Sequence, residues 1–369
     1  MYNKRRAAHG VTPLQTEARH LELDRIRLMT EIAISEVLRS SVPRSMTESQ
    51  STSSKQDLVF AADLGGTNLR AAMVDRCGTI VAHVKRPTPH SAREAGEIVG
   101  AIVAAADECR RISEKTHQVI RGASVVVPGT VDISGETVLA APNLSCLDNF
   151  RLADALRSEL RLPILLENDA NAASVGEMWL GAARGFRNVV CVTLGTGVGG
   201  GLILNGVLLR GTDGSAGEIG HTTVDPFSGV KCKCGNTGCL EVFASATAIV
   251  RMAREQLANY SSTELKAEQL TARSVYDAGM RGDQLALAVL KKMGTYLGIG
   301  LANVVNLLNP EIIVIGGGVA AGWELFEKYM HQEVAARAFV VAARVKIVRA
   351  ECGDDAGILG AAHLALQKQ

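Results

Sequence analysis

The sequence has no excess of charge of either sign, because its 39 lysines and arginines nearly balance its 38 aspartates and glutamates. A nucleic-acid-binding surface needs surplus cations, so we expect no nucleic-acid partner. The balance does not exclude a small anionic ligand, since backbone amides can hold a phosphate without side-chain charge. With 369 residues, of which 47% are hydrophobic, the chain is long enough for two domains with separate cores.

Signals for membranes and export are also lacking. No apolar run in the sequence is long enough to predict a membrane-spanning helix. The basic N-terminus, MYNKRRAAHG, is not followed by the apolar segment of a signal peptide. Eight cysteines in a chain without an export signal indicate reduced thiols or metal ligands rather than a disulfide framework. We therefore predict a cytoplasmic protein without a membrane partner.

The pattern G-x-x-x-x-G-K-[ST] is absent, which excludes a P-loop nucleotide site. Two stretches match the dinucleotide-binding pattern G-x-G-x-x-[GA] instead. The first, at 195–200, is followed by a predicted strand, GLILNG, where that pattern requires a helix. The second, at 316–321, does join a strand to a helix, but the chain ends at residue 369, too soon for a full dinucleotide domain. NAD binding stays a minor alternative.

Residues 1–55 differ from the rest of the chain. Their apolar residues have helix-like spacing, and the polar stretch SVPRSMTESQSTSSK follows them. We predict an appended helix on a flexible linker. The alternative, a helix-turn-helix fragment, would need a second helix of the recognition type, which we do not find.

From residue 56 onward, predicted strands and helices alternate in two similar β-β-β-α-β-α units. The first unit begins at DLVFAADLGG and the second at NVVCVTLGTG. Repetition of such a unit predicts a duplicated α/β fold with a cleft between its halves. We place one domain at 56–170 together with 356–369, and the other at 171–355.

Three glycine-rich turns predict a nucleotide site. Glycine lets a phosphate approach the backbone, whose amides, together with threonine hydroxyls, donate to its oxygens. Facing turns from the two halves could clamp a triphosphate, while the third turn could pass under an adenine. Asp63 could hold Mg²⁺ directly or through water. The candidate nucleotide-binding residues are Asp63, Gly65, Gly66, Thr67, Asn68, Gly195, Thr196, Gly197, Gly316, Gly317 and Gly318.

A histidine and three cysteines cluster within residues 217–241, and they are His221, Cys232, Cys234 and Cys239. Four such ligands suit tetrahedral Zn²⁺, and a zinc ion held only by protein ligands is structural. Gly235 and Gly238 permit the tight turn that would bring the cysteines round one ion. Disulfides are disfavoured, because three is an odd number of cysteines and the predicted compartment is reducing.

The motifs DLGGTN, LGTGVGGG and GEIGH followed by CKCGNTGCLE resemble the ROK family of bacterial sugar kinases and sugar-responsive regulators. The resemblance covers about residues 56–367, and the stretch LLENDANAAS is most similar to the glucokinases of that family. It implies an actin/hexokinase-like (ribonuclease H-like) fold with two domains, and it implies ATP and Mg²⁺. The zinc ligands of the family fall on the four residues named above.

The resemblance also implies roles at a sugar. Asp169 follows a predicted strand whose end faces the cleft, and it would accept the proton of the 6-hydroxyl. Read alone, the segment END before a helix more often holds an aspartate N-cap. The implied sugar contacts, each with a purely structural alternative such as a turn or a surface ion pair, are Gly129, Asn143, Asn168, Glu218, His221 and Glu241.

We therefore predict ATP-dependent phosphorylation of a hexose at its 6-hydroxyl, with glucose as the expected substrate. A sugar-responsive transcriptional regulator is the alternative from another functional class, although the leader at 1–55 is short for a winged helix. N-acetylmannosamine, N-acetylglucosamine, fructose and allose stay open as substrates, and so does polyphosphate as the phosphoryl donor. The resemblance further suggests a homo-oligomer.

Overall fold

The computed structural model describes residues 57–89, 91–113 and 118–368 of the chain. The helix and polar linker predicted for residues 1–55 lie outside the described residues.

Strands and helices alternate along the described chain in two runs. The first run comprises β1 (Asp57–Leu64), β2 (Asn68–Asp75), β3 (Ile80–Pro87), α1 (Ala95–Ser113), β4 (Val119–Val127), β5 (Thr130–Val131), β6 (Val138–Ala140), α2 (Leu152–Leu160), β7 (Ile164–Asn168) and α3 (Asp169–Leu180). The second run comprises β8 (Val189–Leu194), β9 (Val198–Leu204), β10 (Val207–Leu208), α4 (Glu241–Ala244), α5 (Ala246–Gln256), α6 (Ala272–Met280), α7 (Gln284–Leu308), β11 (Ile312–Gly316), α8 (Trp323–Arg337), β12 (Lys346–Arg349) and α9 (Ala356–Gln367).

The two runs build two five-stranded sheets of the same topology. The strand order is β3-β2-β1-β4-β7 in the first sheet and β10-β9-β8-β11-β12 in the second. In each sheet the first three strands pair antiparallel, and the remaining pairings are parallel. The repeated order confirms the predicted duplication. The domain boundaries that we placed at 170 and 355 stay a prediction.

The first sheet is buried on both faces, as its nearly continuous apolar strands require. Side chains alternate along β1, so that Phe60 and Ala62 pack with α1 and α2. Val59 and Ala61 point to the opposite face and pack with α9. The second sheet has the same arrangement, with its larger core formed against α4 to α8.

Helix α7 corrects our statement that no apolar run is long enough to span a membrane. By length and composition alone, its 25 residues could cross a membrane. The run is hard to recognise in the sequence because Lys291 and Lys292 interrupt it. Most of the helix is buried inside the protein, where Leu297 and Leu301 belong to the main core of the second half. A buried core helix passes the same test as a membrane span, so the packing accounts for its composition.

The helix predicted to follow the glycine pattern at 316–321 begins at Trp323. A 3₁₀ turn at Gly318–Gly322 precedes it. Gly317 has a φ of +84°, and a Cβ atom there would overlap the backbone of Leu194 at the end of β8. The glycine turn after β11 therefore lies directly against the end of β8, where the turn at Gly195 begins.

Candidate active site

Two cavities meet at Asp169, the first residue of α3. The larger has a volume of about 700 Å³, and it is lined by all the predicted sugar-site residues: Gly129, Asn143, Asn168, Glu218, His221 and Glu241. The smaller has a volume of about 390 Å³ and is lined by residues that include Asp63, Thr193 and Gly316–Gly318. Asp169 and Gly317 line both cavities, so a carboxylate stands where the two spaces join.

The predicted nucleotide-site residues divide between the two cavities. Asp63 and the Gly316–Gly318 turn face the smaller one, whereas Gly66 and the Gly195–Gly197 turn face the larger one. Three further candidates line neither of these cavities, and they are Gly65, Thr67 and Asn68.

Backbone contacts shape the first turn. The Gly65 amide donates to the Asn68 carbonyl over 3.0 Å, and Thr88 donates its hydroxyl to the Gly65 carbonyl over 2.7 Å. The Thr88 amide donates to the carbonyl of Thr67 over 3.0 Å. These hydrogen bonds close the turn through the backbone of Gly65, Thr67 and Asn68.

Asn168, rather than an aspartate, caps helix α3. Its side-chain oxygen accepts the amides of Ala170 and Asn171 over 2.9 and 3.1 Å. Its amide nitrogen donates to the Gly129 carbonyl and to Asp169 Oδ1, each over 3.0 Å. All four hydrogen-bonding positions of this amide are therefore used within the protein, and Asn168 orients the neighbouring carboxylate.

Asp169 lies where the two cavities join, and its carboxyl is largely removed from bulk solvent. Removal from bulk solvent raises the pKa of Asp169, and the nearby charge of Glu218 raises it further. Hydrogen bonds from the Ala170 amide and the Asn168 side chain act in the opposite direction. A ligand that further excludes solvent from this carboxyl is expected to enlarge the upward shift of its pKa.

Asp63 is a second carboxyl with a raised pKa. Burial raises the pKa of Asp63 to about 6, with a further contribution from Asp169 and an opposing one from Arg70. Arg70 stands directly opposite Asp63 in the β1–β2 pairing. Its guanidinium also donates to the carbonyl and the carboxylate of Asp354 over 2.8 and 3.1 Å.

The four predicted zinc ligands lie together, with all their ligand atoms within 4.8 Å of one another. The sulfurs of Cys234 and Cys239 are 3.7 Å apart, and Cys232 Sγ is 3.6 Å from His221 Nδ1. A tetrahedral ion with Zn–S and Zn–N bonds of about 2.3 and 2.0 Å requires separations of roughly 3.7 and 3.6 Å. The donor set therefore fits tetrahedral zinc, and all its cysteines are free thiols.

Close packing of the cysteine segment depends on Gly238. This residue has a φ of +75°, and a Cβ atom there would overlap the carbonyl of Asp225. The Gly238 carbonyl accepts the amides of Val224 and Asp225, and a bridge pairs Thr223 with Cys239. The tight turn expected from the glycines is thus formed.

Two glutamates connect the cysteine cluster to the larger cavity. His221 presents Nδ1 to the cysteines, while its Nε2 lies 3.8 Å from a carboxylate oxygen of Glu218. Glu241 accepts the amide of Val198, next to the glycine turn, over 3.0 Å. Its other oxygen is 3.9 Å from Cys232 Sγ. Glu241 thereby links the candidate metal site to the glycine turn at Gly195–Gly197.

Comparison with known proteins decides the family, because residues 59–368 match the ROK family. The chain belongs to the ROK family. A glucokinase of Halalkalibacterium halodurans is 39% identical over 315 residues, which cover 83% of this chain and 94% of that one.

Solved structures of the ROK family have the same fold. A glucokinase from Streptomyces griseus, in complex with glucose and AMPPNP, is 33% identical with a TM-score of 0.72, covering 84% of this chain and 99% of its own. A ROK transcriptional regulator, a homolog of the E. coli MLC protein, is 26% identical with a TM-score of 0.77, covering 84% of this chain and 78% of its own. The predicted actin/hexokinase-like fold is confirmed. Kinases and regulators share it, so the fold alone does not separate them.

Sequence reasoning missed several charged residues of this ROK site. Arg70 could have been found from the sequence, because the predicted hairpin of two antiparallel strands places Arg70 opposite Asp63. Asp354, Glu177 and Arg349 line the smaller cavity, but they are far from Asp63 in the sequence. No local pattern brings them together, because they lie on α3, at the end of β12 and in the turn before α9, and only the packing of these elements places them at one cavity.

Proposed function

We propose that this protein is an ATP-dependent hexose kinase that phosphorylates the 6-hydroxyl, with glucose as its substrate. The observation that carries the proposal is the position of Asp169. It lies at the junction of a cavity rich in hydroxyl-binding groups and a cavity bounded by Asp63 and the Gly316–Gly318 turn. Relatives named glucokinase, at 39% and 35% identity over most of their lengths, support it. So does the similarity to a ROK glucokinase in complex with glucose and AMPPNP.

Asp169 would act as the general base. Its carboxylate accepts the proton of the sugar 6-hydroxyl as that oxygen bonds to the γ-phosphorus and the bond to the ADP oxygen breaks. The raised pKa of Asp169 makes the carboxylate a better proton acceptor. Asn168 would hold this carboxylate in place through its side-chain donation to Oδ1.

The hexose would bind in the larger cavity, and its hydroxyls would meet groups from both halves of the chain. Glu218 and Glu241 offer carboxylate acceptors, and the His221 nitrogen that faces away from the cysteines offers a donor. Asn143 and the backbone at Gly129 complete the set from the first half.

A structural zinc ion would fix the imidazole of His221. The chemistry of the four donors supports zinc, and the ring would bind it through Nδ1. The opposite nitrogen then carries the proton in a fixed direction, towards Glu218 and the cavity.

Mg²⁺ would be held near Asp63, directly or through water, and it would neutralise charge on the phosphates. The backbone amides of Gly66, Thr196 and Gly197 would donate to the phosphates, whereas the Gly195 amide already donates to the Gly197 carbonyl. Beyond the Gly316–Gly318 turn, a cavity of about 330 Å³ lined by residues such as Tyr276 and Leu290 has room for an adenine.

Hexose-dependent release of ADP by the purified full chain tests the proposal. A coupled assay should compare glucose with N-acetylmannosamine, N-acetylglucosamine, fructose and allose, and ATP with polyphosphate. Turnover of glucose with ATP is expected to exceed the rest, and a chain that turns over none of these sugars would contradict the proposal.

Asp169→Asn tests the base. We expect its kcat to fall by roughly 10²–10⁴-fold, since the general base is lost, while glucose still binds. Calorimetry would measure the binding. Asp107→Asn, on the exposed face of α1, is the matched control and should behave as wild type. Wild-type ADP release by Asp169→Asn would refute the assignment.

A sugar-responsive regulator is the second candidate, because the ROK regulator has a TM-score of 0.77 against this chain. The position of Asp169 at the cavity junction, with Asp63 in the adjoining smaller cavity, favours catalysis instead. A salt-sensitive mobility shift of duplex DNA at submicromolar protein, without sugar phosphorylation, would favour the regulator.

The cytoplasmic location, the homo-oligomeric state and the absence of nucleic-acid and membrane partners stay predictions.

A further inference from the structure

A buried glutamate lies two residues before the proposed base. Glu167 is only 3% exposed, at the end of β7. Its Oε1 accepts the Asn168 amide and the Asn171 side-chain amide, each over 3.0 Å. Its Oε2 accepts Nε and Nη2 of Arg210 over 2.8 and 2.7 Å. Burying a carboxylate costs folding free energy unless a positive charge pairs with it, and Arg210 provides that charge.

Arg210 comes from the other half of the chain, two residues after the end of β10. It begins the loop at 211–218, which ends in Glu218, and its carbonyl accepts the Ala216 amide over 3.0 Å. The loop packs tightly, because a Cβ atom at Gly214 would overlap the Val131 carbonyl of β5. Residues 214–218 line the larger cavity. The base of this loop is thus attached by an ion pair to the strand end that bears Asn168 and Asp169.

We propose that Glu167 and Arg210 form a positioning pair for hexose binding. The pair fixes the loop that carries Glu218 relative to the strand end that carries Asp169, so that both sides of the sugar are held in one geometry. This inference rests on the proposed function for its kinetic consequences. Neither residue lines the larger cavity, where the sugar would bind, and neither lines the smaller cavity on the nucleotide side.

The pair has a kinetic signature that global destabilisation lacks. Loss of Arg210 should let the loop move, which raises the KM for hexose and lowers kcat, while the KM for ATP stays within about twofold. Misplacement of binding groups by about 1 Å can cost up to 10²-fold. A variant that is merely less stable would lose active molecules, which lowers the apparent kcat and leaves both KM values unchanged.

The experiment compares Arg210→Met, Arg210→Lys, Glu167→Gln and the Glu167→Gln/Arg210→Met double variant. Arg210→Met should raise the hexose KM by roughly 10- to 100-fold. Arg210→Lys keeps the positive charge but loses the paired nitrogen donors of the guanidinium, so its increase in hexose KM should be smaller than that of Arg210→Met. The double variant should be no worse than Arg210→Met alone, because the two residues act as one unit.

Arg86→Met is the matched control, because Arg86 pairs with Glu108 between β3 and α1, outside both cavities. It should leave both KM values unchanged. A hexose KM within twofold of wild type in folded Arg210→Met would overturn the positioning role.

Hydrogen exchange separates the failure of this inference from the failure of the proposed function. Amides at 211–218 should exchange faster in Arg210→Met than in wild type, whether or not the protein phosphorylates any sugar. If they exchange at the wild-type rate, the pair does not hold the loop. If they exchange faster while no hexose is turned over by wild type, the pair holds the loop but the proposed kinase activity is wrong.

Discussion

Two aspartates of the site have a raised pKa, and each owes it to its position in the fold. Asp169 starts a helix whose N-cap is the preceding asparagine, and this leaves its carboxylate free to face the cavity junction. Asp63 ends a buried strand and is flanked by Asp169 and Arg70. Burial raises the pKa of both carboxyls, because the charged form loses water. Such groups lower stability in the free protein, a cost that functional sites commonly carry.

The residue scale gives a prediction of pH dependence for Asp63→Asn. The folded pKa of about 6 lies above the ordinary value of 3.8, so folding favours the protonated carboxyl. The stability that protonation provides is fully present below pH 3.8 and is lost as the pH rises through 6. Asp63→Asn should therefore unfold less readily than wild type at pH 7.5, by at most about 3 kcal/mol, while losing activity.

Urea unfolding without nucleotide or Mg²⁺ measures this difference. The advantage of Asp63→Asn should shrink as the pH falls from 6 towards 4. A variant less stable than wild type at pH 7.5 would show that Asp63 forms favourable contacts as a carboxylate.

At the scale of elements, α3 and α9 cross closely enough that each presents a glycine to the other. A Cβ atom at Gly176 would overlap the Ala356 carbonyl, and one at Gly360 would overlap that of Ala172. Glu177 strengthens the same junction, because its carboxylate accepts the amides of Cys352, Glu351 and Ala182 over 2.8, 3.1 and 2.9 Å. Since Asp169 begins α3, this junction helps to place the proposed base.

Gly360→Ala tests the crossing of the two helices. The added methyl group must force them apart, so we expect a loss of about 1–3 kcal/mol in the free energy of unfolding. Gly100→Ala on α1 is the matched control, because nothing lies within 4 Å of the new Cβ atom. It should stabilise the protein by about 0.5–1 kcal/mol. Equal effects from the two substitutions would contradict the tight crossing.

The cysteine segment gives a second prediction at this scale. Cys234 and Cys77 are both exposed, so replacing either with serine costs little packing. Cys234→Ser should lose bound zinc, lower the free energy of unfolding by about 4 kcal/mol, and raise the glucose KM. Cys77→Ser should change none of these. Zinc analysis by mass spectrometry and chemical unfolding are the measurements, and full zinc content in Cys234→Ser would contradict the ligand assignment.

At the scale of the whole molecule, the larger cavity draws on both halves of a duplicated fold. Asn143 and Asn168 come from the first half, whereas Glu218, His221 and Glu241 come from the second. A ligand that contacts groups on both halves favours whichever arrangement brings them together. Closure would also exclude water, which could otherwise accept the phosphoryl group.

We therefore expect glucose to compact the protein. Small-angle scattering of one sample before and after addition of glucose should show a smaller radius of gyration with the sugar. A sugar that the kinetic panel finds inactive serves as the control. An unchanged radius at saturating glucose would mean that the two halves already have their final arrangement.

The sequence by itself determined the features that are local along the chain. Alternating apolar residues and glycine turns specified the repeated unit, because strand hairpins close over a few residues. The spacing of His221, Cys232, Cys234 and Cys239 specified the metal donors, because all four lie in one short segment. The family motifs specified the residues of the larger cavity, and they lie together in the structure.

Only the tertiary structure decided the contacts between distant parts of the chain. The attachment of Arg70 to Asp354 joins residues 284 positions apart, and the pairing of Arg210 with Glu167 joins residues 43 apart. Neither contact has a sequence signal, because each depends on how whole sheets and helices pack. A contact with the Gly129 carbonyl, 39 positions away, likewise orients Asn168 as the helix cap and leaves Asp169 for the cavity, a choice that the letters END do not settle.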